Sequence, residues 1–569
     1  MAKHENTQAA HKGSAAGAAP DPANGSLYAS GLTPRAVIIG AFGSVLLTAS
    51  SIYVALRMGA LPWPNIFATI LAMSILKLLG KTHVNEIHVA QTAMTAGAMV
   101  AGGMAFTMPG LWAAEGAAPQ IGTLYLPILL LALAGLFLGL ALTWYWRPML
   151  LEERKLPFPI GIATAQTIIT GDEGGSKGRL LAVSLAISAV FTFIRDWLGK
   201  IPQALAYTFP GRAGIQISVM LYPMAPAIGY MIGGIYTAVL FGGAVFAYFV
   251  VIPVGPMLGI FADGAAAASF KDTLGLGLMV GAGIGTLLRF VIQKARGGKS
   301  KGAEALPSGG RAEINITGKN GGKIRLWLIL ACAGAFLCTA AAGLPLFLSL
   351  ILMAGSILMT LMACLVTGET GIDPMEIFGI IVMMGVAFLF KSDWKTNLMV
   401  AAVVAMAAGY AGDIMFDYKT GQILETNPQA LLLSQAIGGV IGTLVASFTL
   451  FVVIGTFGPI FSEALPAPQA RLVFSMVNNA FDPLIFWGGA AIGAVLCIFG
   501  LPATTLGIGL YLPFAFSCAI FIGGVIKWVA DRQWPKSEEK GMIVASGVFG
   551  GESLTGVLIA FMSFFASLR

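Results

Sequence analysis

Charge is scarce in this chain: Asp, Glu, Lys and Arg together make up 10% of its 569 residues. Soluble proteins average about 25%, so an ordinary soluble domain is excluded. Histidine (4) and cysteine (5) are scarcer still. Cys332, Cys338, Cys364, Cys497 and Cys518 all fall in apolar stretches and form no Cys-x-x-Cys pair. They indicate neither a disulfide framework nor a thiolate metal site, and read as small buried hydrophobes. His83 and His88 lie five positions apart, roughly 140° around a helix, whereas a zincin pair needs i,i+4. No metal site and no cofactor are expected. The short alternating strands of a membrane β-barrel are also missing. Residues 1–32 hold Ala, Gly, Ser and Asn but no apolar run, so they read as a disordered tail rather than a signal peptide.

Apolar length is abundant. The chain is 57% hydrophobic with a mean hydropathy of +0.84, and its apolar runs recur at about the 20 residues that cross a bilayer. The expected fold class is an all-α polytopic membrane protein with about 14–16 transmembrane helices, some broken or re-entrant. Runs 224–253 and 504–530 read as single spans, and 158–170 as a short, Pro-flanked re-entrant piece. The 73 glycines suit helices packed closely through small residues.

The net charge of +7 does not indicate nucleic acid, because Lys and Arg concentrate in short loops and one linker. The positive-inside rule places the Lys77–Lys81 loop, the Arg147–Lys155 loop and the linker on the cytoplasmic side. It follows that the N-terminus is cytoplasmic, and the expected location is the cytoplasmic membrane. The expected organisation is a tail (1–32), an N-terminal membrane half (33–292), a basic cytoplasmic linker (293–325) and a C-terminal membrane half (326–569). Similar breaks and Gly pairs suggest that the halves are pseudo-repeats, a common transporter plan.

Against this apolar background the acidic residues stand out. Residues 367–376 read Thr-Gly-Glu-Thr-Gly-Ile-Asp-Pro-Met-Glu between two apolar runs. An ionised side chain at mid-membrane costs about 2.5–3.5 kcal/mol on insertion scales, so such a carboxylate needs a partner, a proton or water. Asp373-Pro374-Met375-Glu376 fits a helix start, with Asp as N-cap and Glu as its capping-box partner. Glu369, flanked by Gly368 and Gly371, has no such role and is a candidate proton carrier. Asp413 and Asp417 are i,i+4 neighbours, read either as a solvated helix end or as a gate. Glu552 stands inside an apolar span and is expected to be protonated or hydrogen-bonded. Asn85, Glu86, Gln91 and Thr92 open a helix with a small-residue stripe, either a packing seam or a pathway wall. They are the candidate substrate contacts, since together they offer both hydrogen-bond acceptors and donors. The proton-coupling or gating set is Glu369, Asp373, Asp413, Asp417 and Glu552.

The order of several tracts resembles the oligopeptide transporter (OPT) family, which includes the yellow-stripe-like metal-chelate carriers. The tracts are Asn85-Glu86 with Val89-Ala90-Gln91-Thr92, Ala101-Gly102-Gly103, Pro109-Gly110-Leu111-Trp112 and Leu156-Pro157-Phe158-Pro159. They continue through Thr370-Gly371-Ile372-Asp373-Pro374, Gly412-Asp413, Asp417-Tyr418-Lys419-Thr420-Gly421, Gly507 to Pro513, and Gly551-Glu552-Ser553-Leu554. The likeness covers residues 33–567 and is greatest to the family's prokaryotic branch. It implies a proton-coupled symporter that imports small oligopeptides by alternating access, or peptide-like metal chelates as the alternative, with no cofactor. The implied partners are substrate, protons and lipid, and a homo-oligomer stays open. An intramembrane enzyme is the remote alternative. It would need a His-Glu-x-x-His, phosphate-binding or nucleophile–base motif, none of which is present, so no enzyme is expected. Accumulation against a gradient separates a carrier from a passive channel.

Overall fold

The computed structural model describes residues 31–58, 65–115, 121–170, 176–208, 216–295, 321–370, 373, 375–462, 464–478, 482–534 and 537–567. Most of the expected tail and most of the expected linker lie outside these residues. The described chain is a helical membrane protein. Ten helices are long and apolar enough to cross a membrane, and five shorter apolar helices accompany them.

The first part of the chain forms α1 (Pro34–Met58), α2 (Asn65–Leu78), α3 (Val84–Ala105), α4 (Gly110–Glu115), α5 (Ile121–Pro148), α6 (Pro159–Thr170) and α7 (Ser176–Thr192). A hairpin, β1 (Ala204–Thr208) with β2 (Gln216–Met220), is antiparallel and pairs Ala204 with Met220. After it come α8 (Met224–Ile232), α9 (Gly234–Val245), α10 (Ile252–Met257) and α11 (Gly264–Ala295). The second part forms α12 (Gly321–Ala341), α13 (Leu346–Thr370), α14 (Met375–Phe390), α15 (Trp394–Leu424), α16 (Pro428–Phe457) and α17 (Pro468–Val477). It ends with α18 (Pro483–Ile498), α19 (Ala503–Tyr511), α20 (Phe514–Gln533) and α21 (Glu538–Ser567).

α3 and α15 lie at the centre, with nearly every residue buried. α16 packs on α1 and α3, α21 on α7 and α8, and α18 and α19 on α11. Helices from the two ends of the chain are therefore interleaved. Large apolar side chains such as Leu78, Phe388 and Leu484 are more than four-fifths exposed, as expected of a surface solvated by lipid. An apolar groove of 610 Å³ between α5, α12 and α13, lined by Leu142, Tyr145, Leu328 and Met353 among others, belongs to this outer surface and holds no acid.

Two runs that read as single spans are broken. Run 224–253 is cut at Gly233, whose φ of 96° suits glycine, and a π-helical turn over Phe246–Val251 follows α9. Run 504–530 is cut at Leu512-Pro513: Leu512 is extended, and Pro513 cannot donate the next helical hydrogen bond. The hairpin and α17 were not legible from apolar length. α6, with 12 residues, is too short to cross.

Close packing explains much of the glycine. Gly277, Gly281 and Gly285 of α11 face Gly489, Ala490 and Ala494 of α18, and a Cβ on any of the three would overlap backbone atoms. Gly281→Leu should therefore lower stability by about 1–3 kcal/mol or more, read as a fall in detergent melting temperature. Gly242→Ala, at a glycine with nothing within 4 Å of its added Cβ, should change it little.

The start of α15 is capped by Asp393, which accepts from the Lys395 and Thr396 backbone N–H groups and from Thr396 Oγ1 at 2.6 Å. The Thr396 hydroxyl, followed by those backbone donors, holds the Asp393 carboxyl below the usual carboxylate range. The cap therefore stabilises the fold at neutral pH and is lost as pH falls through that lowered value. Asp393→Ala should cost about 1 kcal/mol at pH 7 and nothing in acid, measurable by melting at both pH values.

Candidate functional site

The centre of the bundle carries a row of carboxylates. Asp413 and Asp417 lie on one face of α15, 4% and 2% exposed. Asp417 receives Gln91 Nε2 at 3.1 Å and Thr95 Oγ1 at 3.4 Å, both from α3. Asp413 Oδ1 has no partner. Asp373, between α13 and α14, lies against Gly412, where a Cβ would strike its carboxylate. Both of its oxygens are buried without a hydrogen bond. Glu376, 5% exposed, stands in the first turn of α14. Asp373 is within electrostatic reach of both Asp413 and Glu376, and Asp413 of Asp417. Among the described residues no ion pair reaches any of the four.

A helix does start at Met375 as expected, but Asp373 does not cap it. Asp482, also followed by Pro, does cap its helix, accepting from the N–H groups of Leu484 and Ile485 at 2.9 and 3.3 Å. The same dipeptide at Asp373-Pro374 leaves the aspartate oxygens unbonded. Asp413 and Asp417 are likewise not a solvated helix end, because their part of α15 is interior. Glu369 lies in the last turn of α13, and its side chain is outside the described residues.

The four expected substrate contacts separate. Glu86 is fully engaged: Arg35 donates to both of its oxygens at 2.5 and 2.6 Å, and Thr33 and Thr82 add hydrogen bonds at 2.5 and 2.7 Å. These bonds clamp the start of α1 to the start of α3. Asn85 Oδ1 accepts from Thr426 Oγ1, which in turn meets His88 Nδ1, each at 3.0 Å. Gln91 joins the acidic row through its amide nitrogen, while its Oε1 and the Thr92 hydroxyl are buried without partners. Gln91 and Thr92 thus keep polar capacity that Glu86 has already used.

Glu552, at mid-length of α21, belongs to a second cluster. Its Oε1 is 2.8 Å from Arg195, both side chains being fully buried, although the angle falls outside hydrogen-bond geometry. Its Oε2 accepts from the Met224 N–H at the start of α8 at 2.6 Å. Arg195 also grips Asp196 with two 2.7 Å bonds and donates to the Leu221 carbonyl at 2.7 Å. Tyr222 lies between two cations, its ring centroid 4.0 Å from Arg195 and 5.1 Å from Arg57. Glu552 is thus hydrogen-bonded, one of its two expected states. Arg57, Arg195, Asp196 and Tyr222 were missed, although an arginine inside an apolar run was a usable signal.

This polytopic bundle with buried charges at helix breaks matches one family model, OPT oligopeptide transporter protein, over residues 31–563. The chain belongs to the OPT family. It is 24% identical over 597 aligned positions to a Haemophilus influenzae protein that carries an oligopeptide transporter's name, covering 90% of this chain and 92% of that one. A similarly named Saccharomyces cerevisiae protein is 23% identical over 38% of this chain and 33% of its own length. The metal-nicotianamine transporter YSL2 of Arabidopsis thaliana is 39% identical over 62 residues, 11% of this chain and 9% of that protein. This OPT member is accordingly a multi-pass membrane transporter of oligopeptides or related small substrates.

The Glu86 clamp yields a stability prediction. Arg35→Ala leaves a buried carboxylate without its cation and should lower the melting temperature clearly, by about 2 kcal/mol or more in stability. Arg35→Ala and Glu86→Gln combined should cost less than the sum of the two single changes. If Glu86 is only a clamp, neither change moves substrate KM in the folded fraction.

Proposed function

We propose that this OPT member imports small oligopeptides together with protons across the cytoplasmic membrane by alternating access, with its N-terminus in the cytoplasm. The observation that carries the proton part is the row Glu376, Asp373, Asp413 and Asp417. Removing an ionised carboxylate from water costs several kcal/mol even after relaxation, and like charges close together raise that cost. A buried row with no cation paired to it among the described residues is accommodated when protons or a passing positive group share it. Among the described residues no three His, Cys, Asp or Glu side chains are grouped to hold one metal ion, which favours protons. Gln91, bonded to Asp417, and Thr92 serve as substrate contacts, and Glu369, four positions before Asp373 in sequence, is a further proton carrier. Asn85 and Glu86 support them by holding the start of α3. Glu552 acts at the Arg195 cluster as a gating carboxylate whose protonation loosens the ion pair.

The short, well-matched segment shared with YSL2 supports uptake of a metal–chelate complex as the second reading. The chelator then supplies the metal ligands, so the protein needs no ligand set of its own.

Proteoliposomes offered labelled di- to tetrapeptides and an iron chelate, with and without an inward proton gradient, test both readings. Concentration of a peptide only with the gradient is expected. Concentration of the chelate alone moves the substrate to metal acquisition and keeps the mechanism, and no gradient-driven uptake of either removes the symport reading. Asp373→Asn, Asp413→Asn and Asp417→Asn should each lower gradient-driven accumulation by about tenfold or more, because each removes a protonatable site, while leaving peptide exchange at equal pH measurable. Full accumulation in all three variants would remove the row from the proton path.

A further inference from the structure

We propose that Arg57 is a carboxylate-binding residue of the transport site, taking the carboxylate of a peptide or peptide-like solute. The assignment rests on the transport reading and names the part of the solute that the protein holds. Arg57 is 2% exposed, and a guanidinium stays charged in a protein. Its NH1 donates to Tyr222 Oη at 2.6 Å, but its Nε has no partner. Among the described residues it forms no ion pair. The nearest acids are committed elsewhere: both Asp196 oxygens and one Glu552 oxygen face Arg195, and the other Glu552 oxygen accepts from Met224. By contrast, the guanidiniums of Arg35 and Arg195 each have a carboxylate within 2.5–2.8 Å.

Three rings surround Arg57, with Tyr53, Tyr222 and Phe457 centroids 5.2, 5.1 and 4.5 Å from its carbon. Aromatic faces hold a cation in place without neutralising it. One of these rings brings a second open donor: Tyr53 is fully buried, and its hydroxyl has no partner. The unfilled chemistry is therefore a fixed positive charge with a free Nε–H and a phenol beside it, which suits a carboxylate.

The position is that of a transport site. Arg57 lies in the last turn of α1, where the Leu56 carbonyl accepts from Ala467 N at 2.8 Å just before α17. Its partner Tyr222 lies two residues before α8 and stacks on Phe516 of α20, centroids 5.7 Å apart, just past the Leu512-Pro513 break. The starts of two interior helices thus converge beside Arg57, and helix starts attract anions. Met224 N already holds the Glu552 carboxylate there, so the surroundings accept a carboxylate.

The test uses purified full-length protein in detergent, with N-acetyl-trialanine and its C-terminal amide as probes. The blocked amine isolates the carboxylate. Wild type should be thermally stabilised by the acid more than by the amide. Arg57→Gln should abolish the difference and leave the melting temperature of the empty protein unchanged or higher, since it removes an unpaired buried charge. Arg57→Lys should weaken acid binding by about tenfold or more while keeping its sign, because lysine lacks the planar fork. Tyr53→Phe should weaken it less. Equal stabilisation of wild type by acid and amide, or undiminished discrimination in Arg57→Gln, would overturn the proposal. If Arg57→Gln does not fold, Arg57→Lys and Tyr53→Phe decide by the same comparison. Gradient-driven uptake is scored separately: discrimination without uptake keeps Arg57 and removes symport, whereas equal uptake of acid and amide does the reverse.

Discussion

The structure depends on the cost of placing charge in a medium that cannot solvate it. In water a carboxylate needs no protein partner, but inside a helical membrane bundle its position has to be accounted for. Three solutions occur side by side. Glu86 is satisfied completely by Arg35, Thr33 and Thr82, and so acts as a rivet between α1 and α3. Glu552 and Asp196 share Arg195, two carboxylates to one guanidinium, and Glu552 also accepts a helix-start N–H, so a single proton would neutralise the group. Asp373 and Asp413 keep oxygens that the protein leaves unbonded. Arg57 shows the same condition with the opposite sign.

Helix breaks make these arrangements possible. A continuous α-helix satisfies its own backbone and presents only side chains, whereas a helix that starts inside the bundle also presents unbonded N–H groups. α8, α14 and α20 all start beside the charged clusters. Interior glycines let the broken pieces approach: Gly229 and Gly523 bring α8 and α20 into backbone contact, as Gly243 and Gly509 do for α9 and α19. The same close approach through glycine joins unbroken helices, as where Gly438 and Gly442 of α16 meet Ala93 and Gly97 of α3.

Much of the fold was legible because transfer free energy is additive along a span. Runs of apolar residues near 20 long identified most helices, α1, α3, α15 and α16 among them. The breaks in 224–253 and 504–530 were missed because a hydropathy window averages over one glycine or one proline. The hairpin and α17 were missed because neither is a long apolar run. The acidic tract at 369–376 and the pair Asp413 and Asp417 were legible as exceptions to the apolar pattern.

Chain composition alone determined that this protein is a helical bundle in a bilayer and that a few acids within it need explaining. Only the tertiary structure decided which acids are satisfied. Glu86 and Asp373 look alike in sequence, each a carboxylate near a helix start in an apolar setting. Glu86 meets Arg35 from another helix, and Asp373 meets Gly412. Likewise Arg195 finds Glu552, while Arg57 finds rings and the Tyr222 hydroxyl but, among the described residues, no ion pair. The reason is physical: the cost of burying a charge is set locally by its own side chain, whereas its compensation comes from residues far away in the chain that only folding brings near.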